Sequence, residues 1–146
     1  MAIETSAVGK TYDPVEFAVE ADRIGKYADA IGAENAVHHD AEAAKAAGFR
    51  GLVAPPMFAV VYSAPALGPA ILDPAVGMNF ATMVHGGQEF VWGEPVCAGD
   101  TISTTVEVKS ITEEDGRGFY VFESTSANQD GQEVVRATWT NIVRGV

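Results

Sequence analysis

Basic residues are scarce in this chain: nine Lys plus Arg stand against twenty Asp plus Glu over 146 residues, a formal charge of -11. Such a surface repels a phosphate backbone and offers no basic stripe, which excludes nucleic acid as a partner. Cysteine is nearly absent. The single Cys97 can form no internal disulfide, and no Cys or His cluster has metal-ligand spacing, so no disulfide framework, metal centre or cofactor is predicted and a reducing cytoplasm is the expected compartment. Long apolar runs are missing too. The uncharged residues 55–72 are broken by Pro65, Gly68 and Pro69, so no membrane span is predicted and a buried globular element is expected there. Residues 1–8 carry Glu4 and lack the basic-then-apolar pattern of an export signal.

What remains is the composition of an ordinary folded domain. Hydrophobic residues make up 47% and charged residues 20%, which fits a compact fold and one domain over residues 1–146. Phe17 to Ala21 reads as a short strand. Asp22 then stands where a helix cap belongs, ahead of Ile24, Tyr27, Ala28 and Ile31 on one helical face, with Gly32 to end it. A second short helix is predicted over 40–47, capped by Asp40 and closed by Gly48. Pro56 to Tyr62 begins with proline at a natural first helical position and carries no charge, so it is expected to be the central core helix. The breakers Pro65, Gly68, Pro69 and Pro74 predict a loop over 65–77.

From His85 onward the pattern is that of strands. Ile102, Thr104, Val106 and Val108 alternate against Thr101, Ser103, Thr105, Glu107 and Lys109, the signature of a half-buried antiparallel strand. Turn signals at Asp115-Gly116 and 128–131 separate this strand from 118–127 and 133–143. Val135, Ala137, Trp139 and Val143 share one face of the last strand. The order predicts an α+β domain in which an antiparallel sheet wraps a central helix.

Three stretches carry a resemblance: Ala54-Pro55-Pro56-Met57-Phe58, Val84-His85-Gly86-Gly87-Gln88-Glu89-Phe90, and Pro95-Val96-Cys97-Ala98-Gly99-Asp100. In this order and spacing they are similar to the MaoC-like dehydratases, over nearly the whole chain. The N-terminal-half type is resembled most: the A or C subunit of actinobacterial (3R)-hydroxyacyl-acyl-carrier-protein dehydratase, and the first hot-dog of double hot-dog (R)-enoyl-CoA hydratases. The resemblance implies a single hot-dog fold, an acyl-CoA or acyl-carrier-protein substrate, and a homodimer or a heterodimer with a catalytic hot-dog subunit. An acidic chain docking an acidic carrier or coenzyme A needs a local basic spot, for which Arg23, Lys26, Lys45 and Arg50 are the clustered candidates.

Catalytic members of that family carry a loop resembling Asp-x-Asn-Pro-x-His, whose Asp and His share the removal of an α proton and the protonation of a departing hydroxyl. On that pattern Asn35 and His38 match, Ala36 replaces the Pro, and Ala33 stands where the Asp belongs. Alanine neither accepts a proton nor orients an imidazole, so Asp29, Glu34 or Asp40 would have to take that part. The resemblance further places Pro56, Met57, Phe58 and His85 at the substrate, although Pro55 and Pro56 offer no N–H to a thioester oxygen. Local roles also account for several of these residues: Asn35 as a backbone cap, His38 and His39 beside a helix start, His85 as the lock of a Gly-rich turn, Gly99-Asp100 as a turn, and Phe119, Tyr120, Phe122 and Trp139 as core or interface. The expected function is that of a dehydratase or hydratase subunit holding the acyl chain for a catalytic partner. A self-sufficient homodimer using His38, and a non-enzymatic acyl-thioester binder, are the rivals.

Overall fold

The computed structural model describes residues 2–146. The chain order is β1 (Val15–Ala18), α1 (Ala21–Ile31), α2 (Ala41–Ala46), α3 (Ala59–Ser63), α4 (Gly68–Ile71), β2 (Met83–Trp92), β3 (Thr101–Glu114), β4 (Arg117–Ala127) and β5 (Glu133–Arg144). One five-stranded antiparallel sheet results, in the order β1-β3-β4-β5-β2.

The long strands follow the predicted alternation. Ile102, Thr104, Val106 and Val108 are all buried on the inner face, and Val135, Ala137, Trp139 and Val143 continue that face on β5. β3 runs past Lys109 to Glu114, because an irregularity between Val108 and Ser110 shifts the alternation by one residue and Ile111 turns inward. Asp115 and Gly116 form the β3–β4 turn, both with positive φ. Tyr120, Phe122 and Trp139 are core residues, and the Trp139 indole N–H donates to Ser124 Oγ at 2.8 Å.

Two predictions on the helical side are corrected. The first strand begins at Val15, and α1 starts at Ala21 behind Glu20, whose side chain makes no cap bond; Asp22 instead lies inside the first turn and pairs with Lys26 at 2.9 Å. Gly32 ends α1 as expected, in the left-handed conformation at φ 71°. The predicted loop over 65–77 is helical as far as Ile71. Short 3₁₀ turns at Pro56–Phe58 and Ala64–Leu67 join α3 and α4 into one apolar segment, and each proline sits in a first turn where no intrahelical N–H is needed.

This segmented helix lies across the sheet and separates two core clusters. Ala66, Leu67 and Ala70 pack with Val106, Val108, Phe122 and Trp139, whereas Phe58, Ala59 and Tyr62 pack with Ile24, Ile102, Val134 and Val135. Phe58 is 1% exposed, its ring 5.4 Å from Tyr27 edge-on and 6.2 Å from Tyr62. β2 closes the sheet on one side as an edge strand. It shows Val84, Val91 and Trp92 to the outside.

Candidate functional site

The connection from α1 to α2 is built by local capping. Asn35 Oδ1 accepts the Val37 N–H at 3.1 Å and opens a single 3₁₀ turn over Ala36–His38; Asp40 then accepts the Glu42 N–H at 2.9 Å and starts α2. The turn is tied to the chain ahead of the central helix. Val53 donates its N–H to Val37 O at 2.9 Å, and Val53 O lies 2.6 Å from His38 Nδ1.

That second contact settles the imidazole's hydrogen-bond roles. A carbonyl oxygen only accepts, so Nδ1 carries the proton toward Val53 and the neutral ring keeps its lone pair on Nε2. A backbone carbonyl thus orients the imidazole, as a carboxylate would, without supplying a charge to stabilise the protonated ring. The three neighbouring carboxylates do not take up that task. Asp29 stands 3.7 Å from His39 Nδ1, Asp40 caps α2, and Glu34 is exposed. His39 Nε2 is bonded to Ala33 O at 2.7 Å, so the position lacking a carboxylate holds the neighbouring histidine through its backbone.

Half-buried His38 forms part of the wall of a cavity of about 540 Å³. Exposed Asn35 and Glu94 form its polar rim with His38; Phe49, Val53, Ala54, Pro55 and Val96 form apolar wall, and buried Tyr62 faces the interior. The volume falls within the usual range for small-molecule sites. At the helix start Pro55 and Pro56 have no N–H, and the Phe58 N–H is already donated to Pro55 O at 2.9 Å. No backbone donor of that first turn is therefore aimed into the cavity by Pro55, Pro56 or Phe58.

Of the residues singled out from the sequence, His38, Asn35 and Pro56 come together at this cavity. Met57 points elsewhere and is 45% exposed, and Phe58 belongs to the core. His85 lies on β2 with its ring edge-on to Trp139 at 6.0 Å, outside the cavity lining, next to a bulge at Gly86. Tyr62, Trp92 and Glu94 line the cavity and were not singled out for it. Only Gly93 carried a local signal. A Cβ there would collide with the Glu133 carbonyl, so the glycine lets the end of β2 pass close to β5 and brings Trp92 and Glu94 to the opening.

The wall is braced by one buried acid. Asp100, 1% exposed, receives Arg50 Nη1 and Nη2 at 2.5 and 3.0 Å, the Cys97 N–H at 2.9 Å and Gln129 Nε2 at 3.0 Å. Burial pushes its carboxyl up, but the hydrogen bonds from Arg50, Cys97 and Gln129 outweigh this and hold it below the ordinary carboxylate range. The other candidate docking cations also have companions. Lys26 pairs with Asp22, Lys45 lies 4.0 Å from Glu42, and Arg23 lies over the Phe17 ring at 4.8 Å.

A five-stranded antiparallel sheet wrapped on a central helical segment, with this cavity beside it, defines the hot-dog fold of MaoC-like dehydratases. The fold is shared with the C-terminally truncated HadBC (3R-hydroxyacyl-ACP dehydratase) complex from Mycobacterium tuberculosis, at 26% identity and TM-score 0.79, over 96% of this chain and 99% of that one. It is shared with the unliganded R-hydratase PhaJ1 from Pseudomonas aeruginosa, at 22% identity and TM-score 0.73, over 95% of this chain and 83% of that one. Residues 6–137 match the family model described as FAS1-like, dehydratase domain region, and the chain belongs to that family. A UPF0336 protein of Saccharopolyspora erythraea is 36% identical over 146 residues, 99% of this chain and 94% of that protein.

Proposed function

We propose that this chain is a subunit of a (3R)-hydroxyacyl-thioester dehydratase or (R)-enoyl hydratase, holding the acyl chain of a CoA or carrier-protein thioester while a partner hot-dog supplies the catalytic Asp and His. The observation that carries this reading is the cavity itself: its interior is apolar, His38 at its rim is held on Nδ1 by the Val53 carbonyl, and position 33, where the family's pattern has its Asp, is alanine. Reversible proton transfer at a thioester α carbon leaves charge on the base. A neutral Val53 carbonyl stabilises that charge less than an aspartate does. The free edge of β2, with exposed Val84, Val91 and Trp92, supports pairing with a second sheet. HadBC, to which the chain is similar, is a complex. The isolated chain is then nearly inactive on crotonyl-CoA and longer enoyl-CoA substrates, and a hot-dog partner carrying an intact Asp-x-Asn-Pro-x-His loop restores turnover. Strong hydration by the pure chain overturns the reading.

One observation favours a self-sufficient homodimer. His38 is already oriented with Nε2 unprotonated, the state a general base requires. On this second reading the pure chain turns over and His38→Ala abolishes it; an unchanged rate rules the reading out.

A further inference from the structure

Tyr62 is the one lining residue that is buried and carries a polar side-chain group. It is 3% exposed and belongs to the core cluster of Phe58, Val134 and Val135, while the polar residues of the rim are exposed or half-buried. Its hydroxyl has no hydrogen-bond partner among the described residues and is not one of the fully enclosed polar atoms, and Tyr62 lines the cavity. Within the central segment Tyr62 lies six residues beyond Pro56, farther along the helix than any other lining residue. The lining residues that share its core cluster are carbon: Ala54, Val96 and Val134.

A hydroxyl in such a place must be satisfied by water or by the ligand, since an unpartnered buried hydroxyl is costly. Resting on the thioester reading above, we propose that the Tyr62 hydroxyl is a polar end-stop that sets chain-length preference: a short alkyl chain leaves room for water on the hydroxyl, and a chain long enough to cover it strips that water and gives nothing back. Displacing an ordered water with a group that cannot replace its hydrogen bonds loses affinity. The phenol keeps its proton at working pH, because burial pushes its pKa up, so the group remains a donor that needs an acceptor.

The stop is chemical and separable from bulk. Tyr62→Phe keeps the ring and removes only the oxygen, so a purely steric limit is unchanged by it. The test is calorimetric titration of the full chain, alone and paired with a catalytic hot-dog, with saturated and trans-enoyl CoA thioesters of increasing even chain length. In the wild type, affinity rises with length and then breaks; in Tyr62→Phe the break moves to longer chains, and the chains just beyond the wild-type break bind about tenfold tighter, the scale of one unmade hydrogen bond. The same break in both proteins overturns the inference while leaving the thioester reading intact. Failure of the wild type, alone or paired, to bind any acyl thioester overturns that reading and the inference with it.

Discussion

Removing the carboxylate of Asp100 should detach the loop that forms the cavity wall from the start of β3. In Asp100→Ala, the buried Cys97 N–H at 2.9 Å loses its acceptor, exposed Gln129 loses its bond at 3.0 Å, and Arg50 loses two bonds. Arg50 is 53% exposed on its side chain, so water re-solvates the guanidinium and the ion pair itself is discounted. The main cost is the stranded Cys97 N–H, and with the lost Gln129 bond the total is about 2 to 3 kcal/mol. For 146 residues this corresponds to a fall in Tm of about 6 to 10 °C. Thermal unfolding followed by circular dichroism at neutral pH measures it, and a fall under about 2 °C refutes the assignment.

Acid pH gives the same assignment a sign. The folded-state carboxyl of Asp100 titrates below its ordinary value, so its contribution is complete above the unfolded value of about 4 and is lost as pH falls through the folded one. The Tm gap between wild type and Asp100→Ala should hold steady from neutral pH to about pH 5 and narrow below about pH 4. A gap that widens in acid contradicts the clamp.

Phe58→Ala empties a site that is 1% exposed and lined by Phe17, Tyr27 and Tyr62, and should cost about 3 to 5 kcal/mol in denaturant unfolding; a loss under about 1 kcal/mol means the central helix is not packed as described. Gly93→Ala drives a methyl into the Glu133 carbonyl, so β2 must separate from β5 at that end; about 2 kcal/mol or more of stability and most acyl-thioester binding should be lost, and wild-type binding by a stable variant refutes the close approach. Val53 O holds the His38 Nδ1 proton, so the neutral His38 ring should show the Nδ1–H tautomer by nitrogen NMR; a dominant Nε2–H form contradicts the geometry.

The sheet was legible because period-two patterning is a local signal that tertiary structure amplifies. Ile102 to Val108 and Val135 to Val143 alternate in sequence, and the core selects the same faces. The loop caps were legible for a similar reason, since Asn35 and Asp40 act on residues two positions away. The helical course of 64–71 was hidden because proline reads as a breaker unless its place in a first turn is known, and that place depends on the segment before it. The start of α1 was misplaced because Glu20 caps with its backbone alone. Half of the cavity was hidden as well. Glu94 and Trp92 reach His38 and Tyr62 only through the pairing of β2 with β5, a contact between distant residues that no single-stretch motif records.

The most direct test of the account is a pair of substitutions in a reconstituted complex with a catalytic hot-dog partner. Hydration of an enoyl-CoA by the complex should survive His38→Ala in this chain to within about twofold, and should fall by a factor of about 10² or more when the partner's His is replaced. Loss of turnover on His38→Ala, with the partner's His dispensable, would contradict the central claim that this chain holds the acyl group and its partner does the chemistry.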